Sequence, residues 1–426
     1  MPVRGFALAG LAQSPWVENH TPLEALRLAI PDEAISDAIT RTHAQEQRRR
    51  RLPSELVVAL VVGLGLWTRA NLREVLAYLV EGLRVQEPAR FAQWRLPAKS
   101  ALTKARQRIG PRPLHALFQA LAGPVATPAT PGAFLCGLRL MAIDGTTLAL
   151  PDTPTNVRIF GKPATRRGED GPFTTTLGAF PLVRIVMLIE SGTHVLCDAV
   201  VRPYFRGEAP AARQLLRSVG PAMLVLWDRG LHSYPMVRDT LARGAHFLGR
   251  VSANLVLPVE QVLADGSYLT HLYPSASDRQ QHREGIVVRV IEYTIDDPSR
   301  PGHDVRYRLL TSLLDPARCS ALTLAVTYHE RWEVETMIDE LKTHTVDRRP
   351  FPPIRSRNPR EVVQEVYGVL IAHVAIRKLM AAAAATAQVD PDRLSFTGTL
   401  HVLRRAVIRL SRGSAPEQTP LCSTPS

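Results

Sequence analysis

Two aspartates close apolar runs in this 426-residue chain. Asp144 follows Leu138–Ile143 and precedes Gly145-Thr146; Asp228 follows Met223–Trp227 and precedes Arg229-Gly230. An acid at the end of a buried strand needs compensation, because taking its charge out of water is costly. A divalent cation supplies that compensation through carboxylate oxygens. So does a turn that the Asp side chain caps. Capping is the better reading of either residue alone. For the pair, each ahead of a Gly-containing turn, the two readings are evenly matched.

Glu335 tips the balance. On a helix over Thr327–Thr343, Arg331, Glu335 and Lys342 fall at about 300°, 340° and 320° around the axis from Tyr328. Four polar side chains therefore share one narrow stripe, with Trp332 at its edge. Val334, Met337, Ile338 and Leu341 form an adjoining apolar face suited to docking on a sheet. An amphipathic helix with a solvated face has the same period, but it does not call for an aromatic and two cations beside an acid.

Three carboxylates from two strands and a helix could hold two hard cations about 3.5–4 Å apart, activating an attacking oxygen and stabilising a leaving one. Arg331 and Lys342 could neutralise phosphates beside the scissile bond. Tyr328 could hydrogen-bond a phosphate, and Trp332 could stack on an unstacked base.

The rest of the chain suits a polyanionic partner. Lys and Arg number 52 against 39 Asp and Glu, a formal charge of +13, which favours nucleic acid over neutral or acidic ligands. A plain Arg-rich composition is the bland alternative. Cys136, Cys197, Cys319 and Cys422 form no CxxC pair, so they read as reduced thiols of a cytosolic protein. No signal peptide is evident. The apolar run Leu56–Trp67 is too short to span a bilayer and reads as a buried helix.

From Thr21, with Pro22 and Glu24 as first-turn residues, to about Leu121 the pattern is helical. Arg48–Arg51 is a run of arginines, read equally as phosphate contacts or a solvated segment. Pro53–Trp67 and Asn71–Leu83 are helical, and so is Ser100–Ile109. That last segment carries Lys104, Arg106 and Arg108 with Lys99 ahead of it, and resembles a helix-turn-helix-type DNA reader. A helical bundle with a basic surface is the alternative. Residues 123–131 read as a linker. Leu182–Glu190 and His194–Val201 form a hairpin through Ser191-Gly192-Thr193. Ala211–Val219 is helical. The stretch from Thr153 to Gly171 reads as a mobile loop. Strands dominate 244–314. Helix returns over Ala321–His344 and from Pro359 to about Ala385. The tail from Arg412 is Ser/Pro/Thr-rich and reads as disordered.

At Tyr328-x2-Arg331-x3-Glu335-x6-Lys342 the sequence resembles the Tyr-Arg-Glu-Lys signature of insertion element 4 family transposases. Ile143–Thr147 (IDGTT) and Trp227–Gly230 (WDRG) match the contexts of that family's first two acids. The resemblance covers about residues 20–400. It implies an α/β protein with a ribonuclease H-like catalytic core, interrupted by a β-rich insertion and preceded by an all-α N-terminal domain. The expected division is a helical DNA-binding domain at 1–122 and a linker at 123–134. The core would occupy 135–243 and 321–386, with the insertion at 244–320 and a C-terminal region at 387–426.

The resemblance further implies cut-and-paste transposition through a DNA hairpin. Asp144, Asp228 and Glu335 would bind two Mg²⁺ ions, with Mn²⁺ able to substitute. Tyr328, Arg331 and Lys342 would hold DNA, and Trp332 is similar to a residue that steadies a flipped base. Arg229, Lys99, Lys104, Arg106 and Arg108 complete the expected DNA contacts. The partners implied are double-stranded DNA, as terminal inverted repeats and target, and a second copy in a synaptic homodimer. The implied location is cytoplasmic, at a bacterial nucleoid. A catalytically silent DNA-binding relative shares the fold and charge. A paired-carboxylate glycosidase explains neither the charge nor the cations near Glu335.

Overall fold

A computed structural model describes residues 29–48, 50–86, 94–167, 174–295, 305–330, 332–345 and 354–410. The helix start at Thr21, Arg49 of the arginine run, Arg331, the Trp332 side chain and the tail from Arg412 lie outside what it describes.

Among the described residues, five helices come first: α1 (Asp32–Arg41), α2 (Ser54–Leu66), α3 (Leu72–Gln86), α4 (Lys99–Ile109) and α5 (Arg112–Leu121). Next come β1 (Phe134–Leu135), β2 (Leu138–Ala149), α6 (Pro154–Phe160), β3 (Ala164–Arg167), β4 (Thr174–Leu177), β5 (Leu182–Glu190) and β6 (Leu196–Pro203). They lead to α7 (Glu208–Leu215), β7 (Met223–Trp227), α8 (Tyr234–Ala242), β8 (His246–Arg250), β9 (Gln261–Val262) and β10 (Tyr268–Leu272). After α9 (Ala276–Gln280), β11 (Ile286–Tyr293) and β12 (Tyr307–Thr311), the chain turns helical again. Here lie α10 (Ala321–Glu330), α11 (Trp332–Asp339), a π-helical segment Glu340–Thr345, α12 (Pro359–Ala387) and α13 (Phe396–Leu410).

The strands form one mixed sheet in the order β6-β5-β2-β7-β8-β12-β11-β10-β9, with β1 on β2; β3 and β4 pair separately. Its centre, β2-β7-β8, is parallel; α7 leads from β6 into β7, and α8 connects β7 to β8. Parallel strands covered on both faces are apolar along their length, as Met223–Trp227 shows. The 244–320 stretch therefore forms no separate sheet: β8 to β12 continue the central one.

Alternate residues of β2 and β7 serve two cores. Leu140, Ala142, Leu224 and Leu226 face one core, together with Met337, Ile338 and Leu341 and the N-terminal helices. Met141, Ile143, Val225 and Trp227 face the other, with Ala211, Ala212 and Leu215 of α7. The N-terminal helices thus share a core with the sheet and with α12, not a core of their own. Helix α2 is apolar on nearly every side because it packs between neighbours. Its Gly65 meets α12 at Gly368, where a Cβ would stand 2.4 Å from the Val61 carbonyl oxygen. Helix α12 is long and apolar enough to cross a membrane, but most of it is buried within the protein.

Three further expectations need correcting. Residues 123–131 are not a free linker: the Val125 and Ala126 N–H groups donate to the Glu190 carboxylate at 2.9 Å. The polar stretch after Thr153 is not simply a loop. It holds α6, N-capped by the Thr153 hydroxyl, and then β3. Cys136 and Cys319 are joined in a disulfide. No local spacing announces that pairing, because 183 residues separate the two. Cys197 remains a thiol, and burial pushes its pKa well up.

Candidate active site

The sheet brings the two aspartates together. β2 and β7 pair in parallel, and the last partners in register are Ile143 and Trp227. Asp144 and Asp228 are the next residues along the two chains. Beyond that pair β7 ends, whereas β2 runs on to Ala149 against β5 alone. Asp144 is therefore not at the end of its strand, as its sequence suggested. It sits where the strand loses a neighbour, in a notch of the sheet.

Each aspartate also makes a local bond. Asp144 Oδ1 accepts the Gly145 N–H at 2.7 Å, and Asp228 Oδ1 accepts the Leu231 N–H at 3.1 Å. Turn capping is thus real at Asp228. Trp227 anchors that end of β7: its ring stacks on Phe247 with centroids 5.2 Å apart. Its indole nitrogen lies 2.3 Å from where a Cβ on Gly249 would stand, so only glycine fits there.

By strand alternation both aspartates belong to the sheet face that receives α11. Helix α11 packs on β2, the strand of Asp144, and buries Met337 and Ile338. Glu335 lies on α11 and is exposed. Among the described residues, no three His, Cys, Asp or Glu side chains stand as a closed metal-binding group.

The helix expected over Thr327–Thr343 is described on both sides of Arg331, which lies outside the described residues, and from Glu340 the backbone winds as a π-helix. A π turn closes i→i+5 bonds and frequently marks functional sites. Lys342 lies in this π-helical segment, which tertiary contacts hold. The Glu340 carboxylate accepts from Arg377 of α12 at 2.5 Å, and Arg377 also reaches His194 Nδ1 at 2.9 Å. Burial alone would raise the Glu340 pKa, but His373 and Arg377 hold it below the usual value.

The expected DNA contacts divide. Tyr328 is buried, and its hydroxyl donates to the Trp227 carbonyl at 3.4 Å. It thus braces the residue before Asp228. Arg106 is the clearest correction: it is 3% exposed and donates to Gln364, Ser356 and the Glu361 carbonyl. It stands four residues after Leu102 and three before Ile109, on the buried stripe of α4, so its position foretold this. Arg108 bonds Glu46 and the Leu52 carbonyl. Lys99, Lys104 and Arg229 are exposed.

One residue beside the acids carried no sequence signal beyond being an acid in a helix's first turn. Glu208 opens α7, and its Oε2 accepts from Arg184 Nη1 at 3.0 Å. Burial raises its pKa; Arg184 opposes the shift, while Asp144 and Asp228 add to it.

The fold is of the mixed α/β class, with Asp144 and Asp228 directly following the last register pair of two adjacent parallel strands. The family model for the transposase DDE domain matches residues 136–375, and that for the insertion element 4 transposase N-terminal region matches 20–119. The chain belongs to the DDE transposase family: it is a DNA transposase, an enzyme of a family that uses a divalent metal and acts on DNA. It is 29% identical over 405 residues to transposase InsG for insertion sequence element IS4 of Escherichia coli (strain K12), covering 94% of this chain and 86% of that protein. It is 28% identical over 277 residues to the putative transposase InsZ of the same organism, covering 64% of this chain and 84% of that one. Among solved structures, a cryo-EM piggyBac transposase synaptic complex with hairpin DNA aligns with a TM-score of 0.44 and 14% identity, over 94% of this chain and 83% of that one.

Proposed function

We propose that Asp144, Asp228 and Glu335 hold two Mg²⁺ ions in a ribonuclease H-like core, with Mn²⁺ able to replace them, and that the enzyme cuts element ends and joins them to target DNA. The observation that carries this reading is the β2–β7 register, which sets Asp144 beside Asp228. The donor set fits, because hard divalent ions prefer carboxylate oxygens. When bound, such a pair activates the attacking oxygen and stabilises the leaving one.

The chain's own residues do the rest. Trp227, wedged over Gly249, and Tyr328, bonded to the Trp227 carbonyl, orient Asp228. The Arg377–Glu340 pair sets the segment that follows Glu335. Arg229, Arg331, Trp332 and Lys342 grip the DNA near the cleavage point, and Lys99, Lys104 and Arg108 contact the terminal repeats. The second strand is cut through a hairpin within a synaptic homodimer, at the nucleoid.

The test is Mg²⁺-dependent cleavage of terminal-repeat DNA. Asp144→Asn, Asp228→Asn and Glu335→Gln should each cut at least roughly 10³-fold slower, the scale on which a principal charge stabiliser acts, with an unchanged circular dichroism spectrum. Wild-type cleavage by any of the three removes that residue from the metal set.

A further inference from the structure

We propose that the Asp265–Arg289 pair is a positioning device for cleavage: through it the β9–β11 strands fix the start of α10, and α10 in turn fixes the end of β7, where Asp228 follows. This rests on the reading of Asp228 as a metal ligand. Arg289 lies within β11 and is fully buried. Asp265 stands in the turn from β9 to β10.

The Arg289 guanidinium grips the chain that leads into α10. Its Nη1 donates to the Leu313 carbonyl at 3.2 Å and to the Cys319 carbonyl at 2.7 Å. Its Nε donates to Ser267 Oγ at 2.8 Å, and its Nη2 pairs with Asp265. The same Asp265 Oδ2 accepts the Ala321 N–H, the first of α10, at 2.7 Å. A carboxylate there meets an N–H that the helix itself leaves unpaired, at the positive end of the helix dipole. Burial alone would raise the Asp265 pKa, but Ser267, the Ala321 N–H and Arg289 hold it below the usual value. The charge comes from outside the helix, since 56 residues separate Asp265 from Ala321.

Helix α10 carries that placement to the site. Tyr328 lies about two turns on, roughly 10 Å along the axis, and its hydroxyl donates to the Trp227 carbonyl at 3.4 Å. A shift of α10 is thus a shift in the backbone that leads into Asp228. A buried ion pair is not needed to fill this space, because well-packed apolar residues of similar volume are often as stable or more so. What the pair adds is direction: it holds the Cys319 carbonyl and the Ala321 N–H in one geometry.

The experiment measures three things on the full-length protein: single-turnover Mg²⁺-dependent cleavage of terminal-repeat DNA, affinity for that DNA, and thermal melting. Asp265→Leu combined with Arg289→Met replaces the pair with apolar side chains, so melting should stay near wild type. Cleavage of bound DNA should nevertheless slow by roughly tenfold to a hundredfold, the scale of a misplacement of about 1 Å, with affinity unchanged. Asp265→Asn keeps an oxygen for the Ala321 N–H and should lose less of the rate. Wild-type cleavage by the double variant overturns the proposal, because filling the space is then all the pair does. Slowing matched by an equal loss of affinity also overturns it, since the pair then serves DNA binding. If the double variant melts low, Asp265→Asn decides: a slower rate at unchanged melting and affinity supports positioning, and a wild-type rate overturns it. Wild-type cleavage by Asp228→Asn overturns instead the metal reading on which the role of the pair rests.

Discussion

The strand-borne acids and the helix-borne acid are positioned by different physics. Asp144 and Asp228 inherit their places from a ladder of backbone hydrogen bonds between β2 and β7. Side-chain substitutions leave that ladder largely intact, because backbone groups make it. Glu335 has no such template. Its helix docks on β2, buries Met337 and Ile338, and is followed by a π-helical turn. What holds that region is a set of long-range links: the Cys136–Cys319 disulfide, Tyr328 to Trp227, and Glu340 to Arg377. The strand arm should therefore be rigid and the helix arm adjustable. That division suits a site which must assemble around both metal and DNA.

The largest expected effect attacks the helix arm covalently. The disulfide spans 183 residues and ties the start of β2 to the chain just before α10. In the chain-entropy account a loop of that length contributes up to about 5 kcal/mol. Cys319→Ser should lower the urea midpoint accordingly, measured without reductant, and should slow cleavage more than it weakens DNA binding. An unchanged midpoint would show that packing alone holds the helix.

Arg377→Ala comes next. It strands the Glu340 carboxylate in a buried setting, and breaking such a pair costs about 3–5 kcal/mol. Amide exchange should rise across 332–345 while the β2 and β7 amides stay protected. Equal loosening of the strands would collapse the distinction between the two arms.

A pH effect of at most about 3 kcal/mol belongs to the strand side. Burial lowers the pKa of His232, four residues after Asp228, to about 4. The unfolded chain takes up that proton near pH 6.5, whereas the folded protein resists it until about 4. The contribution is thus complete above about pH 6.5 and lost as the pH falls towards 4. Burial also lowers His373, on the helix side, with the same sign. The difference between wild type and His232→Gln in thermal melts over this range isolates the strand-side share. Identical pH profiles would place the whole effect elsewhere.

The smallest effect sharpens the contact between the arms. Tyr328→Phe removes one buried hydrogen bond, worth about 1 kcal/mol. Cleavage should fall with little change in affinity for uncleaved DNA. A loss of DNA affinity instead would return Tyr328 to the phosphate-binding role that its sequence context suggested.

Apolar periodicity and spacing made much legible. The buried β7, the β5–β6 hairpin, the helical N-terminal region and the order of the acids all follow from local pattern. Hydrophobic runs and turn residues act within a few positions of themselves, and that is the range a sequence displays. Arg106 was legible too, had its place on the stripe of Leu102 and Ile109 outweighed its charge. The sequence by itself also determined that a carboxylate stands ahead of Gly145 at 144 and ahead of Arg229-Gly230 at 228. Only the tertiary structure decided that β7 ends beside Asp144 while β2 continues, that the 244–320 strands extend the central sheet, and that Glu340 bends its helix towards Arg377. Each of these joins residues tens to hundreds of positions apart, and their pairing is set by which surfaces bury one another, a property that no short stretch of chain contains.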